Sequence, residues 1–504
     1  MTPTPPPATA PDDRLNALAS AMQSTQSPQV DALLYALLVD EMSRNPAALG
    51  LVTTLPEKNP ATEIADEVRA MARLAAHYPD GDQHAALTLA LEDLVDRTFR
   101  QTAGLPRQRL LAELWAAIPH SMKAYGLLRS AYLDSGFNDI LRDYPDEQVP
   151  EDDLAAWITL AQAALRASKA DDARHILSIL HAQQPDNPFI LELLANALIA
   201  LPDYEAADAL YRQLETGFAW PASLIRISDQ TIGNYRSDPR WDTPPAHFSW
   251  LPWRAAETPP DAPARRIFVV GVDDRYAHRY VPGLLDSLAR TYPDGAWLLH
   301  VHLVNPAPAT LDWIRQLQQA GRPVAATSEQ CAERPNETTD TRRIIEMRTF
   351  FACARFRVLP ELLAHYACPL WVIDADMQAQ RPIDTLFAET RQATASRGLG
   401  IVPMESLGRC VYEYIWLSLS YYAATPQTLA FTRALARYIN HQLADDHWGW
   451  GLDQAAFFAV LAWFERHEPE LEVVRLPTAC IADSLQNHPA AFFASLVGSM
   501  NQHG

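Results

Sequence analysis

The most constraining feature of the sequence is a change in hydrophobic periodicity near residue 265. Before it, apolar residues recur every three or four positions, as in residues 30–39, which is the spacing of amphipathic helices. After it, short apolar runs at residues 266–272, 296–304 and 369–373 read as buried strands separated by helical patterns. Strands that alternate with helices favour a largely parallel sheet. We therefore predict an all-α N-terminal part followed by an α/β domain.

A 34-residue period lies at residues 154–221. Eight positions from Trp157 to Pro185 have the apolar spacing of a tetratricopeptide unit, and seven of the eight residues found 34 positions later suit the same pattern. This period is the length of the helix–turn–helix unit in such repeats. The region therefore resembles tetratricopeptide repeats, with a generic helical bundle as the alternative.

Composition sets the remaining boundaries. Residues 1–25 are rich in Pro, Thr, Ala and Ser, which predicts a disordered tail before a helical domain over residues 26–225. Residues 226–264 alternate prolines with tryptophans, which indicates an ordered connector rather than a flexible linker. The α/β domain would then occupy residues 265–504.

Charge and cysteine usage exclude several classes of function. The formal net charge of -20 repels phosphate backbones, so we expect no nucleic-acid binding. No apolar run approaches the ~18–20 residues that span a bilayer, and no secretory signal is readable. The five cysteines are scattered without a C-x-x-C pair, which favours a reducing, cytoplasmic location.

The sharpest motif is Asp374-Ala-Asp376, which closes the buried strand at residues 369–373. In extended backbone the two carboxylates point to one side, and ligands of parallel sheets bind at the carboxyl ends of strands. Two carboxylates there can hold Mg²⁺ or Mn²⁺, which neutralises charge on a nucleoside-diphosphate leaving group. The alternative is a solvated turn with an Asp cap.

The text after this strand, Arg381-Pro-Ile-Asp-Thr-Leu-Phe, completes a resemblance to GT-A-fold glycosyltransferases, and to family 8 in particular. That family includes the glycogenins and bacterial lipooligosaccharide galactosyltransferases. The resemblance covers residues 265–490 and implies a Rossmann-like nucleotide-diphospho-sugar transferase fold. It also implies that Asp374 and Asp376 hold Mn²⁺ or Mg²⁺, with Asp374 contacting the nucleotide-sugar.

The first strand of the domain runs into Gly271-Val-Asp-Asp-Arg-Tyr-Ala, which is similar to the family's first-strand motif. The resemblance implies that Asp273 and Tyr276 contact the uracil and ribose of the nucleotide, with Asp274 adjacent. The alternatives are a helix N-terminal charge pair for the two aspartates and packing for Tyr276.

Two more motifs complete the resemblance. Ala354-Arg-Phe-Arg-Val-Leu resembles the family's Ala-Arg-Leu-Lys-Leu segment, which implies that Arg355 faces the nucleotide-sugar. Trp448-Gly-Trp-Gly-Leu-Asp-Gln resembles its Asp-Gln motif, which implies that Asp453 and Gln454 are the catalytic pair beside the donor sugar. The alternatives are a surface arginine on an amphipathic helix and an Asp that caps the following helix.

The sequence departs from the family in three places. The third metal ligand would be His488, in Gln-Asn-His-Pro text that lacks the family's Gly and Lys-Pro-Trp, and an exposed loop histidine is the alternative. No lysine follows Lys169, so an arginine would replace the phosphate-binding lysine. The family's Asn-Ala-Gly strand is replaced by Leu417-Ser-Leu-Ser-Tyr, which leaves the identity of the acceptor open.

We interpret His300 and His302, which alternate along a strand, as half-buried strand residues.

We therefore predict a metal-dependent, hexosyltransferase-like enzyme that transfers a sugar, with retention, from a UDP-sugar to an unidentified protein or glycan acceptor. The helical repeats would bind a protein partner. One alternative is a repeat-based interaction protein whose sugar-nucleotide-binding domain is degenerate and non-catalytic. Another is a nucleotidyltransferase, which would need a basic phosphate-binding loop that the sequence lacks.

Overall fold

The computed structural model describes the chain from residue 64 onward, with gaps. It divides into two compact units, Met1–Leu193 and Leu194–Gly504. The described residues do not include the predicted tail at residues 1–25, the tryptophans Trp448 and Trp450 that precede Asp453 in its motif, or His488. No described helix combines the length and apolarity that a bilayer-crossing segment needs. The described residues are 64–77, 81–133, 149, 153–217, 225–253, 266–331, 341–389, 398–403, 415–444, 451–482 and 491–495.

The described chain before residue 225 is helical. Helix starts at Leu154 and Ala170 are followed by starts at Pro188 and Tyr204, which repeats the 34-residue spacing of the sequence. The helices are α1 (Ile64–His77), α2 (Gly81–Gln101), α3 (Gly104–Ala117), α4 (Met122–Leu133), α5 (Leu154–Arg166), α6 (Ala170–Gln183), α7 (Pro188–Ala200) and α8 (Tyr204–Gly217).

An aromatic cluster stabilises the first unit. The ring of Phe189 stacks on Tyr125 at 4.7 Å between centroids and meets the edges of Trp115 and Tyr132 at 5.0 and 5.4 Å. Edge and offset contacts of this kind add to the free energy that burial of the rings supplies. The N-terminal unit therefore has an apolar core of its own.

The second unit is built on a mixed sheet, which among the described residues has the strand order β1-β4-β3-β2-β5-β8-β7-β9. A smaller sheet has the order β10-β11-β6. The strands are β1 (Ser249–Leu251), β2 (Arg266–Val272), β3 (Trp297–Val304), β4 (Val324–Glu329), β5 (Leu370–Ile373), β6 (Met377–Ala379), β7 (Leu399–Pro403), β8 (Ile415–Tyr422), β9 (Val473–Arg475), β10 (Ile481–Ala482) and β11 (Phe493–Ser495).

The predicted parallel pairing holds for the central strands only. Strand β2 runs parallel to both β3 and β5, and β3 runs parallel to β4. On the far side of β5, strand β8 is antiparallel to both β5 and β7. The sheet is therefore mixed, and its parallel half brings the carboxyl ends of β2 and β5 to one edge.

Helices cover the sheet, and the interface between them is a continuous apolar core. Val270, Leu284, Leu299 and Leu419 are fully buried members of this core. Strands buried on both faces read as continuous apolar runs, which is why β2, β3 and β5 were recognisable in the sequence. The helices are α9 (Asp229–Ser237), α10 (Asp274–Thr291), α11 (Pro308–Gln319), α12 (Thr341–Arg357), α13 (Leu359–Tyr366), α14 (Asp384–Glu389), α15 (Pro426–Ala444) and α16 (Leu452–His467).

The Pro/Trp-rich connector is ordered in its described part, residues 225–253. Its strand β1 pairs antiparallel with β4 and forms the edge of the sheet, with Trp250 opposite Thr327. Helix α15 holds it at a second place, where Asn440 Nδ2 donates to the Trp241 carbonyl at 2.8 Å. The connector therefore closes one edge of the α/β sheet.

A buried polar network lies where the connector meets the sheet. The hydroxyl of Thr327 lies 2.9 Å from His300 Nε2 and 2.8 Å from His302 Nδ1. Both histidines are fully buried, so our interpretation of them as half-buried is wrong. Tyr366 of α13 covers His300 and contacts its Nδ1 at 2.8 Å, and burial holds the pKa of His300 well below its ordinary value.

The network ends at a carboxylate that is removed from solvent. Glu329 is 1% exposed, and its oxygens meet His302 at 3.1 Å, His247 of the connector at 3.0 Å and the Arg357 guanidinium at 2.9 Å. Burial favours the neutral acid, but the charge of Arg357 and the two histidines hold the pKa of Glu329 well below its ordinary value.

We predict that Glu329→Ala destabilises the C-terminal unit by about 3–5 kcal/mol, because it leaves Arg357 buried without its carboxylate. Urea unfolding followed by tryptophan fluorescence measures this loss. The matched control is Glu465→Ala. It removes a half-exposed ion pair with Arg475 that is worth less than about 1 kcal/mol. Equal losses in the two variants would contradict the argument.

Candidate functional site

The candidate site lies at the carboxyl ends of the parallel strands. Strands β2 and β5 are paired with Val269 opposite Val372, so the residues that follow them emerge at the same edge. Asp273 follows β2 and Asp374 follows β5. Pairing on the other side continues past the end of β5, because the Asp374 amide donates to the Ser418 carbonyl at 3.3 Å.

The centre of the site is a buried arginine between two carboxylates. Arg355, in the last turn of α12, is 7% exposed. Its Nη1 donates to Asp374 Oδ1, and its Nη2 lies 3.5 Å from Asp453 Oδ2. Its Nε is buried and has no hydrogen-bond partner among the described residues. The surface-helix alternative for Arg355 is therefore wrong, and one of its donors remains available.

Arg355 reaches this position because α12 approaches β2 very closely at a glycine. A Cβ on Gly271 would lie 3.0 Å from the backbone nitrogen of Arg355 and 3.1 Å from its Cβ. Such contacts are tighter than normal packing, so any larger residue would push the helix away. The absence of a side chain at Gly271 thus permits the close approach that places the arginine at the site.

Asp453 is presented by the first turn of α16. The residue that caps this helix is Gly451, with φ of 90°, a left-handed conformation that glycine adopts without strain. The alternative that Asp453 is the N-cap is therefore wrong. Asp453 is 8% exposed; burial raises its pKa and the charge of Arg355 opposes that rise. Gln454 beside it donates from Nε2 to the Ile415 carbonyl at 3.4 Å.

The two aspartates of the Asp-Ala-Asp motif have different environments. Burial disfavours the charge of Asp374, but Arg355 and a hydrogen bond from the Ser418 hydroxyl hold its pKa below the ordinary value. Among the described residues no cation pairs directly with Asp376. Burial together with the charge of Asp374 raises its pKa to about 6, and the more distant charge of Arg355 opposes only part of that rise. Its Oδ2 lies 3.5 Å from the Ser495 hydroxyl. Asp376 is therefore the carboxylate whose charge is least compensated.

The first-strand residues are placed at the start of α10. The Asp273 carboxylate caps this helix by accepting from the Tyr276 amide at 2.7 Å, and burial raises its pKa. Asp274 instead accepts from the Ala307 amide at 2.9 Å, in the loop after β3. The Tyr276 ring is 48% exposed, and burial of its remainder, with contributions from Tyr280 and Asp376, raises its pKa.

Among the predicted residues, Arg355 contacts both Asp374 and Asp453 directly, whereas Asp274 contacts the loop after β3. The structure adds Ser418, which sequence reasoning missed because a serine in an alternating strand is common. The signal that could have found it is the strand pairing, which places Ser418 opposite Asp374.

The donor chemistry of the site fits a hard divalent cation that takes two protein carboxylates. Asp374 and Asp376 carry oxygen ligands. Burial and repulsion by Asp374 raise the pKa of Asp376, and a bound cation would offset both effects. Within the described residues, no group of three His, Cys, Asp or Glu side chains is arranged to hold a metal ion. The proposed third ligand, His488, lies outside those residues.

No protein-family model matches the chain, and no curated protein matches it either. Among solved structures, the bifunctional glycosyltransferase WbbM matches over 48% of this chain and 47% of its own, at 13% identity and a TM-score of 0.30. Mouse xyloside xylosyltransferase 1 matches over 43% and 87%, at 12% identity and a TM-score of 0.27. The galactosyltransferase LgtC, in complex with donor and acceptor sugar analogues, matches over 46% and 87%, at 14% identity and a TM-score of 0.28.

These three neighbours are glycosyltransferases by name, and the chain spans about half the length of WbbM. All three TM-scores are below 0.5, so the overlap decides neither fold nor function. The geometry of this chain's own site is what bears on its chemistry.

We predict that Asp376→Asn stabilises the metal-free protein at pH 8. The pKa of Asp376 is raised from 3.8 to about 6 in the folded protein, which favours the neutral carboxyl group. Its contribution to the stability of the fold is therefore complete below pH 3.8 and is lost as the pH rises through about 6. An amide mimics the neutral acid, so its advantage over wild type should grow by about 1–2 kcal/mol between pH 4 and pH 8. Urea unfolding in EDTA measures this, with the exposed Asp312→Asn as control. A pH-independent difference would contradict the assignment.

We also predict that Gly271→Ala destabilises the unit by about 1–3 kcal/mol, because the new methyl group forces α12 away from β2. The same displacement should weaken the binding of any ligand that contacts Arg355. Gly233→Ala is the control, since a Cβ on that residue of α9 meets nothing within 4 Å. Thermal unfolding of both variants checks the prediction, and equal unfolding temperatures would show that the close approach is not limiting.

Proposed function

We propose that the chain is a metal-dependent glycosyltransferase that uses a UDP-linked nucleotide-sugar as donor. The single observation that carries the proposal is the buried Arg355, held between Asp374 and Asp453 at the carboxyl ends of β2 and β5. A buried cation with an unused donor, beside an acidic pair whose charge is only partly compensated, suits a ligand that brings both negative oxygens and a metal ion.

The chain's own residues would divide the work as follows. Asp374 and Asp376 would hold Mn²⁺ or Mg²⁺, and a bound cation would stabilise the negative charge that develops on the diphosphate as it leaves. Arg355 would add a charge-assisted hydrogen bond from its free Nε to the donor. Tyr276, half-exposed at the start of α10, would offer its ring to the base.

The proposed reaction breaks the bond from the anomeric carbon to the diphosphate oxygen and forms a bond from that carbon to an acceptor oxygen. The acceptor's proton leaves with the nucleoside diphosphate. Asp453 and Gln454 would lie at the anomeric carbon, where a carboxylate stabilises positive charge on the sugar ring. Burial raises the pKa of Asp453, and the charge of Arg355 opposes part of that rise. Retention of configuration is part of the proposal.

We predict that UDP binds the full chain in the presence of Mn²⁺ and that Asp374→Asn/Asp376→Asn lowers this affinity at least about tenfold. The reason is that the two lost carboxylates together remove charged contacts to the cation that are worth more than about 1.4 kcal/mol. Isothermal titration of UDP with and without Mn²⁺ is the measurement. Asp286→Asn/Asp312→Asn is the matched control, because it removes two charges from exposed positions of the same unit.

Two outcomes would contradict the proposal. Failure of the wild-type chain to bind UDP with Mn²⁺ present would favour the interaction protein with a degenerate sugar-nucleotide module. UDP binding that is equal with and without metal, and equal in both double variants, would overturn the assignment of Asp374 and Asp376 as metal ligands.

A further inference from the structure

We propose that Ser418 is a positioning residue of this site, one that orients the Asp374 carboxylate for a divalent cation. The inference rests on the proposed function, because it assumes that Asp374 is a metal ligand. It concerns a strand in which the sequence departs from the resemblance, so no motif assigned a role to this serine.

The geometry places Ser418 directly beside Asp374. The two backbones are paired, since the Asp374 amide donates to the Ser418 carbonyl at 3.3 Å. The Ser418 hydroxyl donates to Asp374 Oδ2 at 2.5 Å, a short hydrogen bond to a charged acceptor. The two residues are thus joined through both backbone and side chain.

The second oxygen of the same carboxylate is occupied from another element. Arg355 of α12 donates to Asp374 Oδ1, while Ser418 of β8 donates to Oδ2. With each oxygen held by a different donor, the carboxylate cannot rotate about its Cβ–Cγ bond without breaking one contact. Each oxygen keeps a second lone pair, so the carboxylate can still bind a cation.

This arrangement lowers the cost of binding the cation. A free aspartate loses rotamer freedom when it becomes a ligand, whereas a carboxylate fixed in advance does not pay that cost again. Outer contacts that orient a metal ligand typically change metal affinity about 10–100-fold when they are removed. Ser418 therefore contributes to the affinity of the site for the metal ion and not to contact with the nucleotide.

The strand supplies an internal control. Ser420 lies two residues further along β8 and points to the same side, but its hydroxyl donates to the Tyr422 hydroxyl at 3.2 Å instead. Ser420 is fully buried, so its removal tests the effect of losing a serine hydroxyl from this strand without touching Asp374.

The experiment titrates Mn²⁺ into the full chain at saturating UDP, and titrates UDP without metal, for wild type, Ser418→Ala, Ser418→Thr and Ser420→Ala. We expect Ser418→Ala to weaken Mn²⁺ binding about tenfold or more and to leave metal-free UDP binding unchanged. Ser418→Thr keeps the hydroxyl and should stay within about threefold of wild type, as should Ser420→Ala. Thermal unfolding of each variant shows that it is folded.

The outcomes separate the inference from the function on which it rests. If wild type binds Mn²⁺ with UDP and Ser418→Ala binds it equally well, the role of Ser418 is overturned and the proposed function stands. The same holds if Ser418→Thr fails to restore the affinity that Ser418→Ala loses. If wild type does not bind Mn²⁺ at all, the proposed function and the role of Ser418 are overturned together.

Discussion

The contact between Arg355 and the carboxylates of Asp374 and Asp453 is the interaction on which the candidate site depends. Burying any one of these charges alone would cost several kcal/mol, and the site is tolerable only because the arginine lies between the two acids. The compensation is incomplete. With Asp376 included, three negative charges face one positive charge, and the excess of two matches the charge of a divalent cation. This charge imbalance is what supports the proposal of a divalent cation, since an arrangement that balanced its own charge would offer a cation no electrostatic gain.

Backbone features, more than side-chain contacts, determine the positions of these charges. Gly271 lets α12 come close enough to β2 for Arg355 to reach the edge of the sheet. Gly451 starts α16 in a left-handed conformation that places Asp453 in its first buried turn. The parallel pairing of β2 with β5 then brings Asp374 to the same edge. Three separate segments therefore converge on one arginine.

Much of this could be predicted from the sequence, but only locally. Strands β2, β3 and β5 are buried on both faces, so their apolar runs were readable, and an Asp-Ala-Asp at the end of one of them indicated a site. The contact between Arg355 and Asp453 joins residues 98 positions apart, and no local pattern encodes such a distance. Ser418 was missed for the same reason. The short edge strands β1 and β9 were also invisible, because three residues cannot show a period.

The connector reaches the site through the buried network. His247 of the connector contacts Glu329, Glu329 pairs with Arg357, and Arg357 lies two residues from Arg355 on α12. A fully buried carboxylate stays ionised only while its partners remain in place. The connector therefore supplies part of the environment that fixes the end of α12, and with it the position of the arginine. A segment outside the predicted α/β domain thus contributes to the geometry of the site within it.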